Sequence, residues 1–145
     1  MGGGEKNMVK QDIMAKVGSW SFIIGIIIAL IFGFYEASQL ADNGTSFFAT
    51  NNGAIVAWLL AIIGIIIGIL AVLGKGTITK KEMPGFLFAS IALLIMGSVF
   101  IGWHLMIPYW LGAIFGGVSM SLAIFVAPAV GILAVKAIWD MGKDV

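Results

Sequence analysis

The chain contains no cysteine and no arginine, and only one of its 145 residues is a histidine. Without cysteine there is no disulfide, thiolate metal site, iron–sulfur cluster or cysteine nucleophile. The single histidine, His104, offers one ligand, whereas zinc sites usually take three or four ligands from the protein. We interpret His104 as an interfacial residue beside Trp103, with a metal site shared between subunits as the alternative. We therefore expect this chain to hold no metal ion and no other cofactor by itself.

Charged residues are scarce as well, at 10% of the chain against roughly 25% in an average soluble domain. Hydrophobic residues make up 61%, which is more apolar surface than a soluble fold of this size can bury. Lipid can solvate that surface. The net charge is only +1 and no basic stripe is present, so nucleic acid is not expected as a partner. The composition indicates an integral membrane protein in contact with lipids.

Four apolar stretches are close to or longer than the roughly 20 residues that a membrane-spanning helix needs. They cover residues 19–36, 54–74, 84–103 and 109–135. The sequence therefore predicts an all-α, polytopic membrane protein whose four transmembrane helices form an antiparallel up-down bundle. We assign residues 19–139 to this single domain, residues 1–18 to a cytoplasmic amphipathic segment and residues 140–145 to a cytoplasmic tail.

The amphipathic segment is predicted from Val9, Ile13 and Val17, which recur at helical spacing. Such a helix can lie on anionic lipid, with its lysines at the headgroups, or dock on a partner subunit. A frayed tail is the third interpretation, because about 13 residues make a marginal isolated helix.

The lysines predict which side of the membrane the termini occupy. With four spans, all eight lysines fall on one side, and the positive-inside rule makes that side cytoplasmic. They are Lys6, Lys10, Lys16, Lys75, Lys80, Lys81, Lys136 and Lys143. Every Trp and Tyr lies near a predicted span boundary, where these residues are enriched. We expect a multi-pass protein of the cell membrane with both termini in the cytoplasm.

The longest predicted exterior loop runs from about Glu36 to Gly53, rich in Ser, Thr, Asn and Gly. Glu36 is placed at the outer end of the first span, so no ionisable side chain is expected at mid-depth in the membrane. Asn43-Gly44-Thr45 fits both a glycosylation sequon and a plain turn. Phe47 and Phe48 are unusual for a solvated loop, and we expect them to enter the membrane interface or to touch a neighbouring protein.

Small residues recur every three or four positions in three of the spans, which lets another helix approach closely in lipid. The positions expected to carry this packing are Gly25, Ala29, Gly33, Ala57, Ala61, Gly64, Gly68, Gly112 and Gly116. One interpretation is that these faces pack the chain's own helices. The other is that at least one of them docks on a second membrane protein.

Pro128 lies inside the fourth span, where it removes a backbone hydrogen bond to the carbonyl of Ile124. We predict a kink at this position. A tolerated membrane kink is the favoured interpretation, because neighbouring groups can satisfy the freed carbonyl, and a gating hinge is the alternative.

No arrangement of side chains indicates catalysis. Serines such as Ser119 and Ser121 have no base partner in the pattern, so we do not expect an enzyme, although a non-catalytic subunit of a membrane enzyme complex fits. The first hypothesis is an accessory structural subunit that packs against other integral membrane subunits. The alternative is a small homo-oligomeric channel or transporter for a neutral solute, with a path between protomers lined by Gly116, Ser119, Ser121 and the bend at Pro128. The Ile-rich composition without arginine suggests an AT-rich prokaryotic genome.

Overall fold

A computed structural model describes residues 2–74, 78, 80–105 and 108–144, without the side chains of Ile101 and His104. Lys75 lies outside the described residues. Within them the chain is all-α, as predicted, and contains no strand. The helices are α1 (Gly2–Asn43), α2 (Asn51–Val72), α3 (Met83–Phe100) and α4 (Tyr109–Lys143), with short 3₁₀ helices at Phe47–Ala49 and Ile101–Leu105.

All four α-helices are long and apolar enough to cross a membrane, so the prediction of four such helices is confirmed. Two of them are much longer than a bilayer requires. At 1.5 Å per residue, the 42 residues of α1 span about 63 Å and the 35 residues of α4 about 52 Å, against a hydrocarbon core of about 30 Å. Residues 2–17 of α1 are exposed.

The prediction of a loop that begins at Glu36 was wrong, because α1 continues to Asn43. Hydrogen bonds between side chains one turn apart accompany the extra turns, such as that from Asn43 Nδ2 to Gln39 Oε1 at 2.7 Å. The helix ends where Gly44 takes a left-handed φ of 65°, and its N–H reaches the carbonyl of Leu40 at 3.1 Å. Glycine adopts this conformation without the Cβ clash that other residues incur, which identifies Asn43-Gly44 as the stop signal of α1.

Helix α4 lies at the centre of the fold. It packs against α1, α2 and α3, whereas α3 has its extensive contacts only with α4 and with the adjoining 3₁₀ helix. The core therefore runs along α4, and Phe125, Ala129 and Leu133 are buried there together with Ala29 and Leu60 from the neighbouring helices. Pro128 lies inside this continuous helix and is half-buried, and the predicted kink stays a prediction.

Substituting each of two glycines of α4 by alanine should distinguish the effect of close packing on the free energy of unfolding from the effect of helix propensity. A Cβ at Gly117 would lie 2.6 Å from the amide nitrogen of Ala37 and 2.7 Å from the carbonyl oxygen of Gly33, whereas a Cβ at Gly131 meets nothing within 4 Å. Gly117→Ala should lower the free energy of unfolding by about 1–3 kcal/mol through overpacking. Gly131→Ala should be neutral or raise it by up to about 1 kcal/mol. Unfolding in mixed detergent micelles measures both, and equal effects would contradict the close contact of Gly117 with α1.

The last turns of α4 carry an ion pair, in which Lys136 Nζ lies 2.7 Å from Asp140 Oδ2. The hydrogen bond from Lys136, more than any other influence, lowers the pKa of the Asp140 carboxyl below its ordinary value. The nearby charge of Lys143 acts in the same direction. The pair therefore exists above the lowered pKa of Asp140 and is lost as the pH falls through it.

Lys136→Met should raise the pKa of Asp140 back towards its ordinary value, because it removes the principal hydrogen-bond donor. Lys143→Met is the matched control and should raise that pKa less, since Lys143 acts only through its charge. Titration of the labelled Asp140 carboxyl carbon by NMR measures both shifts. A larger shift in the Lys143 variant would contradict the assigned pair.

Candidate functional site

The small residues predicted in the first span lie where α1 meets α4. Gly25 and Gly33 are buried, and so is Ala29 between them. A Cβ at Gly25 would enter the ring of Phe125, and one at Gly33 would lie 2.8 Å from the Cα of Val118. The absence of side chains at these positions is therefore what lets α1 approach α4 closely.

The small residues predicted in the second span differ in burial along the length of α2. Gly64 and Gly68 are buried against α4, and Ala57 and Ala61 are half-buried. A Cβ at Gly64 would meet the carbonyl oxygen of Phe125, and one at Gly68 would lie 2.8 Å from the Cα of Ala129. The half of α2 nearer its C-terminus thus packs backbone against backbone on α4.

On α4 itself the predicted Gly112 and Gly116 are buried. Sequence reasoning missed Gly117, where an added Cβ would lie 2.6 Å from the amide nitrogen of Ala37 on α1. It also missed the extension of the α1 stripe by one turn beyond Gly33, to Ala37 and Glu36, both of which are buried. Continuing the spacing of three and four residues past Gly33 would have pointed to them.

Glu36 is the most unusual side chain of the fold, because a carboxyl group is 0% exposed between apolar helices. The sequence places Glu36 at the outer end of the first span, whereas the structure places it within α1 on a buried face. Its Oε2 accepts hydrogen bonds from the backbone N–H of Phe47 at 2.6 Å and of Phe48 at 3.3 Å. These are the first N–H groups of the 3₁₀ helix Phe47–Ala49, which have no partner within the helix itself. Glu36 therefore holds the connection between α1 and α2 against α1.

Phe47 packs on the same face of α1 as Glu36. Its ring stacks on Phe32 at 6.1 Å between centroids and meets Tyr35 edge to face at 4.8 Å. Gly53 lies against the carbonyl of Phe47 so closely that a Cβ would overlap it. Thr50 caps the start of α2 by accepting a hydrogen bond from the N–H of Gly53 at 3.1 Å. We call Glu36 together with residues 46–53 the Glu36 turn.

The polar side chains of the described residues do not form a cluster that could hold a metal ion. No group of three or more His, Asp or Glu side chains comes together there. The hydroxyls of Ser90 and Ser98 donate to carbonyls of their own helix, at 2.7 Å and 2.8 Å, as expected for serine in an apolar helix. Ser119 and Ser121 are buried within α4, and Ser121 Oγ has no hydrogen-bond partner among the described residues.

Glu36→Ala should lower the free energy of unfolding by about 1–3 kcal/mol, because it leaves two backbone N–H groups without their acceptor. Asp42→Ala is the matched control on the same helix and should stay within about 0.5 kcal/mol, since Asp42 is exposed. Denaturation in mixed micelles, followed by tyrosine and tryptophan fluorescence, compares the two. Similar losses in both variants would show that the carboxyl of Glu36 does not hold the turn.

No family model, no curated protein and no solved structure matches this chain. Its function is therefore inferred from its own residues and their contacts.

Proposed function

We propose that this protein is a non-catalytic accessory subunit of a larger integral membrane complex, and that it contributes helices to a partner. The observation that carries this proposal is the position of α3. This helix packs extensively only on α4, and it turns a face of small residues away from the other helices. The face consists of Gly85, Ala89 and Ala92, all exposed, and a Cβ at Gly85 would meet nothing within 4 Å. We call it the outward α3 face.

The outward α3 face has the spacing that membrane helices use to approach one another, with small residues at i, i+4 and i+7. By contrast, the stripes at Gly25, Gly33, Gly64 and Gly68 already face α4 within the chain. They are occupied by internal packing, and contact with a partner needs another surface. Ala57 and Ala61 at the half-buried edge of α2 form a smaller candidate surface.

For the membrane topology we propose an up-down bundle in the cell membrane with both termini in the cytoplasm. The relative directions of the helices, which follow from the sequence of their contacts along α4, support this topology. From Gly25 to Gly33, α1 meets α4 at Phe125 and then at Val118, so the two helices run in opposite directions. From Gly64 to Gly68, α2 meets α4 at Phe125 and then at Ala129, in the same direction. If α3 runs opposite to α4 as well, all eight lysines lie on one side of the proposed bundle, which the positive-inside rule makes cytoplasmic.

The alternative function, a homo-oligomeric channel for a neutral solute, needs polar groups that face a path between subunits. Gly116, Ser119 and Ser121 are instead buried among the helices of one chain. The geometry therefore favours the accessory subunit.

Native mass spectrometry after extraction in a mild detergent tests the proposal. We expect a complex with a different membrane protein at a fixed stoichiometry. Replacing Ala89 and Ala92 together by leucine should reduce the bound partner at least tenfold, which corresponds to about 1.4 kcal/mol. Ala127→Leu is the matched control, an exposed alanine on α4, and should retain the partner.

Two outcomes would contradict the accessory role. A monomer without any stoichiometric partner, both in detergent and in native-lipid nanodiscs, would exclude it. A complex of identical subunits would favour the channel instead, and solute flux into liposomes would then decide.

A further inference from the structure

A groove runs along α4 towards the C-terminal end of this helix. Its deeper part is lined by Ile65 of α2 and by Pro128, Gly131, Ile132 and Val135 of α4. All of these lining residues are apolar. A Cβ added at Gly131 would meet nothing within 4 Å, so the glycine leaves open space in the wall of the groove that no described residue fills.

The groove continues beyond this deeper part towards the end of the helix. The second part is lined by Val135, Ile138, Trp139, Gly142 and Lys143. A Cβ at Gly142 would also meet nothing within 4 Å. Val135 lines both parts, which we together call the α4 groove. From Pro128 to Lys143 the helix rises by about 22 Å, so the groove is long and narrow.

Two tryptophans indicate how deep the α4 groove lies in the bilayer. Trp110 and Trp139 are both exposed, and the helix rises about 44 Å between them. A bilayer measures about 40–45 Å with its headgroups, and tryptophan is enriched at both of its interfaces. With Trp110 at one headgroup level, Trp139 is at the other, and Pro128 is about 16 Å deeper. This depth matches the roughly 15 Å that the acyl chains of one leaflet occupy.

The end of the α4 groove at the headgroup level carries a positive charge. Of the described residues that line the groove, Lys143 is charged and none is acidic. Lys143 Nζ lies 5.7 Å from the centroid of the Trp139 ring, one turn earlier on the helix. The lysine side chain therefore folds back along α4 and holds its ammonium group at the level of Trp139.

The surroundings of this ammonium group contain more positive than negative charge. Asp140 accepts a hydrogen bond from Lys136 at 2.7 Å, so its charge is matched within the helix. That hydrogen bond lowers the pKa of the Asp140 carboxyl, and the charges of Lys143 and Lys80 act in the same direction, which places three lysines near one carboxylate. The exposed Asp144 follows Lys143 in the chain and does not line the groove. An anionic headgroup therefore complements this end better than a zwitterionic one.

We propose that the α4 groove binds a phospholipid with an anionic headgroup, whose phosphate contacts Lys143 and whose acyl chain lies along the apolar lining as far as Gly131. The order of the lining fits this molecule, because the cation is at the headgroup level and the apolar residues extend from it into the leaflet. A transmembrane helix fits less well. Val135, Ile138 and Trp139 prevent the close backbone approach that helix pairs need. This site is independent of the accessory role, which uses the outward α3 face.

Native mass spectrometry with added lipid tests the site, using phosphatidylglycerol and phosphatidylcholine with identical acyl chains. We expect the protein in mild detergent to bind one phosphatidylglycerol about fivefold more tightly, because a lysine near an anionic lipid surface contributes about 1 kcal/mol. Lys143→Gln should remove this preference. Lys81→Gln is the matched control and should retain it, since Lys81 is an exposed lysine that does not line the groove.

A larger side chain inside the α4 groove tests the acyl chain separately from the headgroup. Gly131→Leu should weaken the binding of both lipids at least tenfold, because leucine would occupy the space assigned to the chain. Ala127→Leu is the matched control, an exposed position one turn earlier that lies outside the lining, and should leave both affinities unchanged. Circular dichroism of each variant checks that its helices are intact.

A measurement on the unaltered protein serves if Gly131→Leu does not fold. Phosphatidylglycerol with a photoreactive diazirine in its acyl chain, reconstituted with the protein in liposomes, should label residues 128–139 above the rest of the chain. Labelling spread evenly over the four apolar helices would overturn the proposal.

Three further results would contradict an anionic lipid in the α4 groove. Equal affinities of the wild type for the two lipids, or equal losses in Lys143→Gln and Lys81→Gln, would exclude recognition of the headgroup by Lys143. Weaker binding in Lys143→Gln with none in Gly131→Leu would assign Lys143 to a free phosphate ion. A dimer of this chain that Gly131→Leu dissociates would assign the groove to a second copy.

Discussion

The close approach of α1 and α2 to α4 is the constraint on which the rest of the structure depends. In lipid, helices gain little from hiding apolar surface, because the lipid tails are as apolar as leucine. What holds them together is close van der Waals contact, and glycine permits the shortest separation between backbones. Here the contact uses Gly33 and Gly117 on one side of α4, and Gly64 and Gly68 on another. Since α4 contacts all three other helices, it organises the whole fold.

This arrangement also explains why the chain can hold one carboxyl group among apolar helices. Glu36 follows Gly33 by one turn on the buried face of α1, so the same packing that brings α1 to α4 excludes water from it. The cost of that burial is reduced by the two N–H groups at the start of the 3₁₀ helix. Phe47 then covers α1 through its contacts with Phe32 and Tyr35. Close helix packing and the order of the turn between α1 and α2 are thus connected through one side chain.

The same packing divides the surface of the protein into two parts. The glycine faces of α1 and α2 are occupied inside the chain, and the large isoleucine and leucine side chains on their other faces are exposed, as expected for contact with lipid. Helix α3 differs, because it is held mainly by α4 and leaves Gly85, Ala89 and Ala92 uncovered. A partner helix that packed there would complete the burial that α3 lacks in the isolated chain.

The sequence by itself determined the class of the protein and the number of its long apolar helices, because both follow from composition and from the length of apolar runs. It also pointed to Gly25, Gly33, Gly64 and Gly68, since small residues at a spacing of three and four lie on one helix face whatever the partner. Spacing along one helix does not say which helix that face meets. Only the tertiary structure decided that Gly25 and Gly64 both face α4, and that Gly117 lies against the backbone of α1.

The largest difference between the sequence-based prediction and the structure concerns Glu36. Hydropathy places a charged residue near the end of an apolar run at the boundary, and from the sequence the loop began there. The structure continues α1 by two further turns and folds the 3₁₀ helix back onto it, which buries the carboxyl. That outcome depends on a contact between residues eleven positions apart in the chain, and local patterns do not encode such a contact. The sequence thus determined which helices form, and the tertiary contacts decided which polar group they enclose.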